Sequence, residues 1–352
     1  MAQRYGKVIG WGAYAPERVV TNFDLEEEWD TSDEWIVQRS GIRERHYAEA
    51  GESTDVLATK AAEAALAKAD IDPNDLDLII VGTCLTEYFT PSVACLVQDN
   101  IGAKNVPAYD ISAGCTGFLY SISSAYQFVQ TGAYKRVMVI GAENITRFLH
   151  VADRSAAVLF GDAAAAVIIE ATDEPCGLHG FLLGSDGSGR DLLQLGTSSN
   201  RNHFDDGHYF NFNGRRVFRF ASRVLGKACQ QALDQANLTL DDVDWIIPHQ
   251  ANLRIIQSAS RDMGVSMDKF IINIDKYGNT SSASIPLALY ENLESGKIKP
   301  NDTILMVAFG AGLTWGAAVL QLAPKPVEAL ISTTEASFAA QVIAADSLKS
   351  PA

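Results

Sequence analysis

Asp75–Thr83 reads DLDLIIVGT and Asp242–Gln250 reads DVDWIIPHQ. Each begins with acidic turn residues and runs into an apolar strand, and from position 75 to position 242 the spacing is 167 residues. A second pair, MVIGAENITRF from Met138 and MVAFGAGLTWG from Met306, repeats a strand-to-glycine segment at a spacing of 168. Between them lie DISAGCTGFLYSISSAYQFVQTGAYKR from Asp110 and NIDKYGNTSSASIPLALYENLESGKIK from Asn273. Both read as a strand end, a small-residue turn and a helix-period run closed by glycine. Agreement among these spacings indicates one α/β unit written twice. Helical patterns at Leu57–Ala69 and Phe218–Ala236 alternate with β-branched runs at Leu78–Val81, Val137–Ile140, Ala164–Ile169 and Thr303–Ala308. The alternation predicts sheets covered by helices in layers. The expected halves are residues 1–175 and 176–323, and 324–352 is an extension outside the repeat. Cys115 and Asn279, 164 residues apart, are expected at the same place in the two copies. Pseudo-twofold packing would bring both turns to the junction, where ligand sites commonly form.

The 352 residues, 47% hydrophobic and 20% charged, suffice for a large core and an enclosed pocket. No window approaches the ~18–20 apolar residues of a membrane span. The N-terminus MAQRYGKVIGWGAY lacks the apolar core of a secretory signal, so a cytoplasmic protein is expected. Five scattered cysteines without a CxxC pair, and six histidines without HExxH, predict neither a disulfide framework nor a metal site. A net charge of −15 disfavours nucleic acid and anionic membrane surfaces as partners.

Cys115 stands among Ser112, Ala113, Gly114, Thr116 and Gly117. One reading is a small cysteine where a helix packs closely on a strand. The other is a nucleophile whose neighbours are small so that a substrate carbonyl can approach. The thiol follows a predicted strand and opens a predicted helix near Thr116, where free amides and the helix dipole favour a thiolate. Such a position is expected to lower a cysteine pKa from ~8.5 to well below 7.5. Cys84, Cys95, Cys176 and Cys229 lack this setting and read as packing residues. His249 directly follows an apolar strand, beside Pro248, and Asn279 lies in a glycine-asparagine turn. Either could be structural alone; the duplication places both at the edge that carries Cys115.

From Lys7 to Leu322 the chain resembles the β-ketoacyl-acyl-carrier-protein synthase III family of thiolase-fold condensing enzymes. The motifs are TSDEWIVQRSGIRER, the cysteine turn, DRSAAVLFGD, PHQANLRI, GNTSSASIP and FGAGLTWG, in family order. The resemblance implies a layered α-β-α-β-α fold and condensation of an acyl-coenzyme A primer with malonyl-acyl carrier protein, in a homodimer without cofactor. Cys115 would be the acyl-accepting nucleophile, and His249 and Asn279 would hold the malonyl thioester oxygen during decarboxylation. Backbone amides of Cys115 and Ala311 would form the oxyanion hole, with Ala311 where many relatives have glycine. Trp35 and Arg154 would sandwich the coenzyme A adenine, Arg39 and Arg254 would lie near phosphate or the pantetheine tunnel, and Asn252 would line its wall. Taken alone, Trp35 reads as core and Arg39 as a surface charge. Thr90 would reach into the partner subunit's acyl pocket, and its small size suggests primers longer than acetyl.

Arg219, Arg223 and Lys227 form an i, i+4, i+8 stripe, with Arg215 and Arg216 just before it. A charge stripe can be a mere solvated face; the resemblance implies an acidic carrier protein docked there. Asp262, where relatives often have a basic residue, weakens such a patch, and GDAAAA (Gly161–Ala166) replaces a glycine-richer segment. Two other readings are a secondary-metabolism relative that primes a polyketide pathway or transfers acyl groups, and a noncatalytic acyl-coenzyme A or carrier-binding module. The noncatalytic module would be marked by loss of Cys115 or His249, and the chain retains both.

Overall fold

The computed structural model describes residues 4–151, 154–197 and 208–324. Almost all of the expected extension therefore lies outside the described residues. The first sheet contains β1 (Tyr5–Tyr14), β2 (Leu78–Gly82), β3 (Ala108–Ile111), β4 (Arg136–Glu143) and β5 (Ala163–Thr172), in the order β1-β5-β4-β2-β3. The second contains β6 (Gly177–Ser185), β7 (Trp245–Pro248), β8 (Thr303–Gly310) and β9 (Thr314–Gln321), in the order β7-β8-β9-β6. Strand directions match position by position. β5 is antiparallel to β1 and β4, as β9 is to β6 and β8; β2 is parallel to β4, as β7 is to β8. The place of β3 is taken in the second sheet by a single parallel bridge between Ile246 and Phe270. All five residues of β2 and all eight of β8 are buried, as expected of strands covered on both faces. The Ala-rich start of β5 keeps unbroken register with β4.

Six helices set the layers: α1 (Asp33–Ser40), α2 (Thr54–Ala69), α3 (Gly117–Thr131), α4 (Gly214–Ala236), α5 (Leu253–Met263) and α6 (Ser284–Glu294). Helix α2 covers the outer face of the first sheet through Leu57, Ala58, Ala61, Ala62 and Ala65. Its alanines allow close approach to β1, where a Cβ on Gly12 would stand 2.4 Å from the Ala65 nitrogen. Helices α4 and α5 cover the outer face of the second sheet, where Leu225, Cys229 and Ile256 meet Leu305 and Val307. Between the sheets, Phe118 and Ile122 of α3 and Ile285 and Leu289 of α6 share one cluster with Ile80, Val139, Ile247 and Met306. The result is the expected α-β-α-β-α stack, and the two halves bury one apolar core in common.

Each middle helix is preceded by a three-residue 3₁₀ turn, Gly114–Thr116 before α3 and Ser281–Ala283 before α6. Both turns begin with a left-handed residue, Gly114 at φ 58° and Ser281 at φ 51°. From 114 to 281 the spacing is again 167, so the counterpart of Cys115 is Ser282 and not Asn279. Asn279 precedes its turn because it is held elsewhere: its amide donates to the Leu159 carbonyl at 2.8 Å and its carbonyl accepts from the Gly161 amide at 3.2 Å.

Glycines at the strand ends let these turns seat. A Cβ on Gly82 would lie 2.5 Å from the Gly117 carbonyl carbon, which is backbone and cannot swing aside. Gly82→Ala is therefore expected to destabilise the protein by about 1–3 kcal/mol through overpacking. A thermal unfolding midpoint equal to that of the parent would contradict this packing.

Candidate active site

Cys115, His249 and Asn279 come from three different elements and line one cavity of about 620 Å³. Cys115 sits in the turn after β3, and the Ser281 hydroxyl donates to its Sγ at 3.4 Å. His249 leaves the end of β7 with its amide donating to the Val307 carbonyl at 2.8 Å, and only 3% of its surface is exposed. Its Nδ1 is 2.7 Å from the Ser284 hydroxyl, and its ring meets Phe309 edge to face. The Oδ1 of Asn279 accepts the Ser281 amide at 2.9 Å. That leaves the Nδ2 amino group, a donor, as the part of the carboxamide with no partner among the described residues. Ala311 follows β8 and meets the cysteine turn closely: a Cβ on Gly114 would stand 2.8 Å from the Ala311 nitrogen, and one on Gly310 2.6 Å from the Cys115 nitrogen. The amides of Cys115 and Ala311 thus belong to two backbone segments in contact.

The thiol and the imidazole of the resting site are uncharged. Burial pushes the Cys115 thiol up to about 11; Glu143 adds to the rise, and the Ser281 hydroxyl and the cysteine's own amide oppose it. This overturns the expected thiolate. Helix α3 begins only at Gly117, and the Cys115 thiol is buried at the cavity wall, so the cost of desolvating a charged sulfur exceeds the pull of nearby donors. Burial likewise holds His249 down at about 3, a neutral imidazole at ordinary pH. Glu143 ends β4, wholly buried, and burial raises its carboxyl to about 7. Its Oε1 accepts from the Cys84 amide at 3.1 Å and the Ser282 hydroxyl at 3.3 Å, while Oε2 is buried without a hydrogen-bond partner among the described residues.

The mouth is built from α1 and α5. Ser32 caps α1 at the Trp35 amide, 3.2 Å away, and Asn252 caps α5 at the Arg254 amide, 2.9 Å away. The Asn252 side chain also donates to the Arg39 carbonyl at 3.0 Å, tying the two helices together. Trp35, Arg39, Asn252 and Arg254 all line the cavity. The guanidinium groups of Arg39 and Arg154 lie 5.6 and 5.2 Å from the Trp35 ring centroid, and Arg154 pairs with Asp30 at 3.1 Å. Arg154 thus contacts the ring directly, and a base stacked between them would have to displace it. Arg215 also lines the cavity, while Arg216, Arg219, Arg223 and Lys227 are exposed along α4. Thr90 stands apart from this chain's cavity, on an exposed loop beside Tyr88 and Phe89.

Sequence reasoning missed Ser281, Ser284 and Glu143. The small polar run NTSSAS carried a signal for the serines once the spacing of 167 is applied to the turns rather than to Asn279. Glu143, the last residue of β4, carried no comparable signal.

Comparison with known proteins fits this geometry. Residues 109–187 match the family model of 3-oxoacyl-[acyl-carrier-protein] synthase III, and 233–322 match the model of its C-terminal region. The β-ketoacyl-[acyl-carrier-protein] synthase III of Clostridium acetobutylicum is 46% identical over 320 residues, covering 90% of this chain and 98% of that one. The chain belongs to the β-ketoacyl-acyl-carrier-protein synthase III family. A synthase III of Bacillus anthracis is likewise 46% identical over 314 residues, 89% of this chain and 98% of its relative. Among solved structures, the synthase III of Aquifex aeolicus superimposes with a TM-score of 0.84 at 43% identity, covering 90% of this chain and 99% of that one. The priming β-ketosynthase of a polyketide biosynthetic pathway gives 0.87 at 36% identity, covering 92% and 98%.

Because the Glu143 carboxylate is one cause of the raised Cys115 pKa, its removal has a defined sign. Glu143→Gln should lower the thiol pKa and move the pH profile of Cys115 alkylation by iodoacetamide toward lower pH. Peptide mass spectrometry across a pH series reads this out; a profile unmoved or moved upward contradicts the assignment.

Proposed function

We propose that this enzyme condenses an acyl-coenzyme A primer with malonyl-acyl carrier protein, releasing carbon dioxide and giving a 3-oxoacyl-carrier protein that starts fatty-acid synthesis. The observation that carries the reading is one cavity lined by a thiol, a neutral imidazole and a carboxamide. In the first half-reaction Sγ of Cys115 attacks the primer thioester. The acyl–sulfur bond to coenzyme A breaks, and coenzyme A leaves as a thiol with the proton that Cys115 gives up. In the second, the malonyl carboxylate departs as carbon dioxide and its bond electrons form an enolate. Asn279 and His249 donate to that enolate oxygen, and neutral donors suit it because decarboxylation requires no base. The enolate carbon then attacks the acyl-Cys115 carbonyl, whose oxyanion faces the amides of Cys115 and Ala311. Collapse expels the cysteine sulfur, which regains a proton. One well-aimed donor of this kind is worth ~3–4 kcal/mol of barrier.

Trp35, Arg39, Arg154, Asn252 and Arg254 hold coenzyme A in this reading, by aromatic and cationic contacts at the mouth. The exposed stripe from Arg215 to Lys227 docks the acidic carrier protein. The loop bearing Phe89, 97% exposed, and Tyr88, 58% exposed, supports a homodimer that places Thr90 against a partner's pocket. The reaction needs no metal or cofactor, and its substrates place it in the cytoplasm. Among the described residues no helix is long and apolar enough to cross a membrane. The likeness to a polyketide-priming ketosynthase supports a second reading, the same chemistry in a secondary pathway. A panel of primers scored by condensation rate separates the two.

Mass spectrometry after mixing with acyl-coenzyme A should show one acyl group on Cys115, absent in Cys115→Ser. His249→Ala and Asn279→Ala should acylate yet lose roughly 10²–10³-fold in decarboxylation. Acylation elsewhere, or decarboxylation indifferent to both changes, sinks the mechanism. Arg219→Glu with Arg223→Glu should raise KM for malonyl-acyl carrier protein, increasingly so at low salt, and spare acylation by acyl-coenzyme A. An unchanged KM removes the stripe from the docking surface.

A further inference from the structure

His249 can hold a substrate oxygen only if its cavity-facing nitrogen carries the hydrogen. A neutral imidazole has one N–H, and which nitrogen bears it is set by the partner of the other. Here Nδ1 is engaged at 2.7 Å by the Ser284 hydroxyl, so Nε2 is the nitrogen left for the cavity. The hydrogen bonds of Ser284 decide between the two tautomers. Its Oγ already accepts the Gln250 amide at 3.3 Å, and the residue is 2% exposed. A hydroxyl has a single hydrogen and two acceptor sites. If Nδ1 carried the ring hydrogen, Oγ would accept twice and its own hydrogen would be buried without an acceptor. Ser40 in α1 relieves that situation by bonding to the carbonyl four residues back, Ile36, at 2.6 Å. Ser284 has no such bond among the described residues. If the hydroxyl instead donates to Nδ1, every group is satisfied, because a buried donor left unmade is the costly alternative.

We propose that Ser284 is a positioning residue: its hydroxyl donates to Nδ1 of His249 and thereby keeps the ring hydrogen on Nε2, aimed into the cavity. The proposal rests on the condensing role assigned to His249 and adds what makes that residue a donor. Three contacts hold the arrangement. The His249 amide is fixed by Val307, the ring plane by Phe309 edge to face with centroids 5.6 Å apart, and Ser284 by its place in the first turn of α6. Burial suppresses the doubly protonated ring that would make the choice of tautomer irrelevant. The second half of the duplicated chain thus supplies both the imidazole, after β7, and the group that sets its hydrogen, at the start of α6.

The test reads the ring directly. Enzyme labelled with ¹⁵N-histidine contains six rings, and comparison with His249→Gln assigns the one of interest. Long-range proton–nitrogen correlation spectra of the intact protein should show His249 with a protonated Nε2 and an unprotonated Nδ1. Ser284→Ala should give a mixture of both forms, and Ser284→Thr, which keeps the hydroxyl, should restore the parent pattern. In parallel, Ser284→Ala should cut decarboxylation of malonyl-acyl carrier protein by at least about tenfold, far more than it slows acylation of Cys115. A protonated Nδ1 in the parent enzyme overturns the proposal at once, even if no Ser284 variant folds. So does a Ser284→Ala protein whose ring pattern and decarboxylation match the parent. Should the parent show protonated Nε2 yet fail to decarboxylate malonyl-acyl carrier protein, the condensing function falls while the tautomer assignment stands.

Discussion

The site depends on backbone touching backbone across the duplication. Gly310 faces the Cys115 amide and Gly114 faces Ala311, at distances that admit no Cβ on either glycine. Gly141 does the same for the turn at Ser282, while Gly82 meets Gly117 within the first half. Where side chains are removed, two strand ends from different halves come close enough to set peptide amides side by side. Those amides are held by the sheets and cannot relax away, so they are available to a developing negative charge without reorganisation.

That closeness also produces an unusual electrostatic balance. The cavity floor is polar, yet at neutral pH its reactive members carry little charge: burial keeps the Cys115 thiol protonated, His249 neutral and the Glu143 carboxyl near its midpoint. A charged site would bind the malonyl carboxylate in the ground state or repel it. In the proposed reaction a neutral one instead favours loss of that carboxylate and the enolate that follows. The charges stand at the mouth, where Arg39 and Arg154 lie over Trp35 and Arg254 lines the same cavity, and along exposed α4, where solvent screens them. Positive charge at the mouth and neutral groups on the floor thus occupy different parts of one cavity.

The two halves have diverged around the same scaffold. Both 3₁₀ turns start left-handed and both feed a middle helix, yet one carries the thiol and the other carries Ser282. The Ser282 hydroxyl bonds to the Gly82 carbonyl at 2.7 Å and reaches Glu143. It braces the first half, while Cys115, its structural equivalent, opens to the cavity. The two turns are equivalent in the backbone, but packing ties one into the fold and leaves the other facing the cavity.

Sequence alone determined the repeat, the alternation of strand and helix, the small-residue turn around Cys115, and the positions of His249 and Asn279 at strand and turn ends. These were legible because periodicity and glycine placement act locally, within one element at a time. The ionisation of Cys115, the equivalence of its turn to Ser282, the brace by Glu143 and the partner of His249 were decided only by tertiary structure. Burial depends on what the other half places overhead, and hydrogen-bond partners such as His249 and Ser284, 35 residues apart, meet only when two elements fold against each other. Local pattern places chemical groups along the chain, whereas protonation and orientation arise from the environment that distant segments build around them.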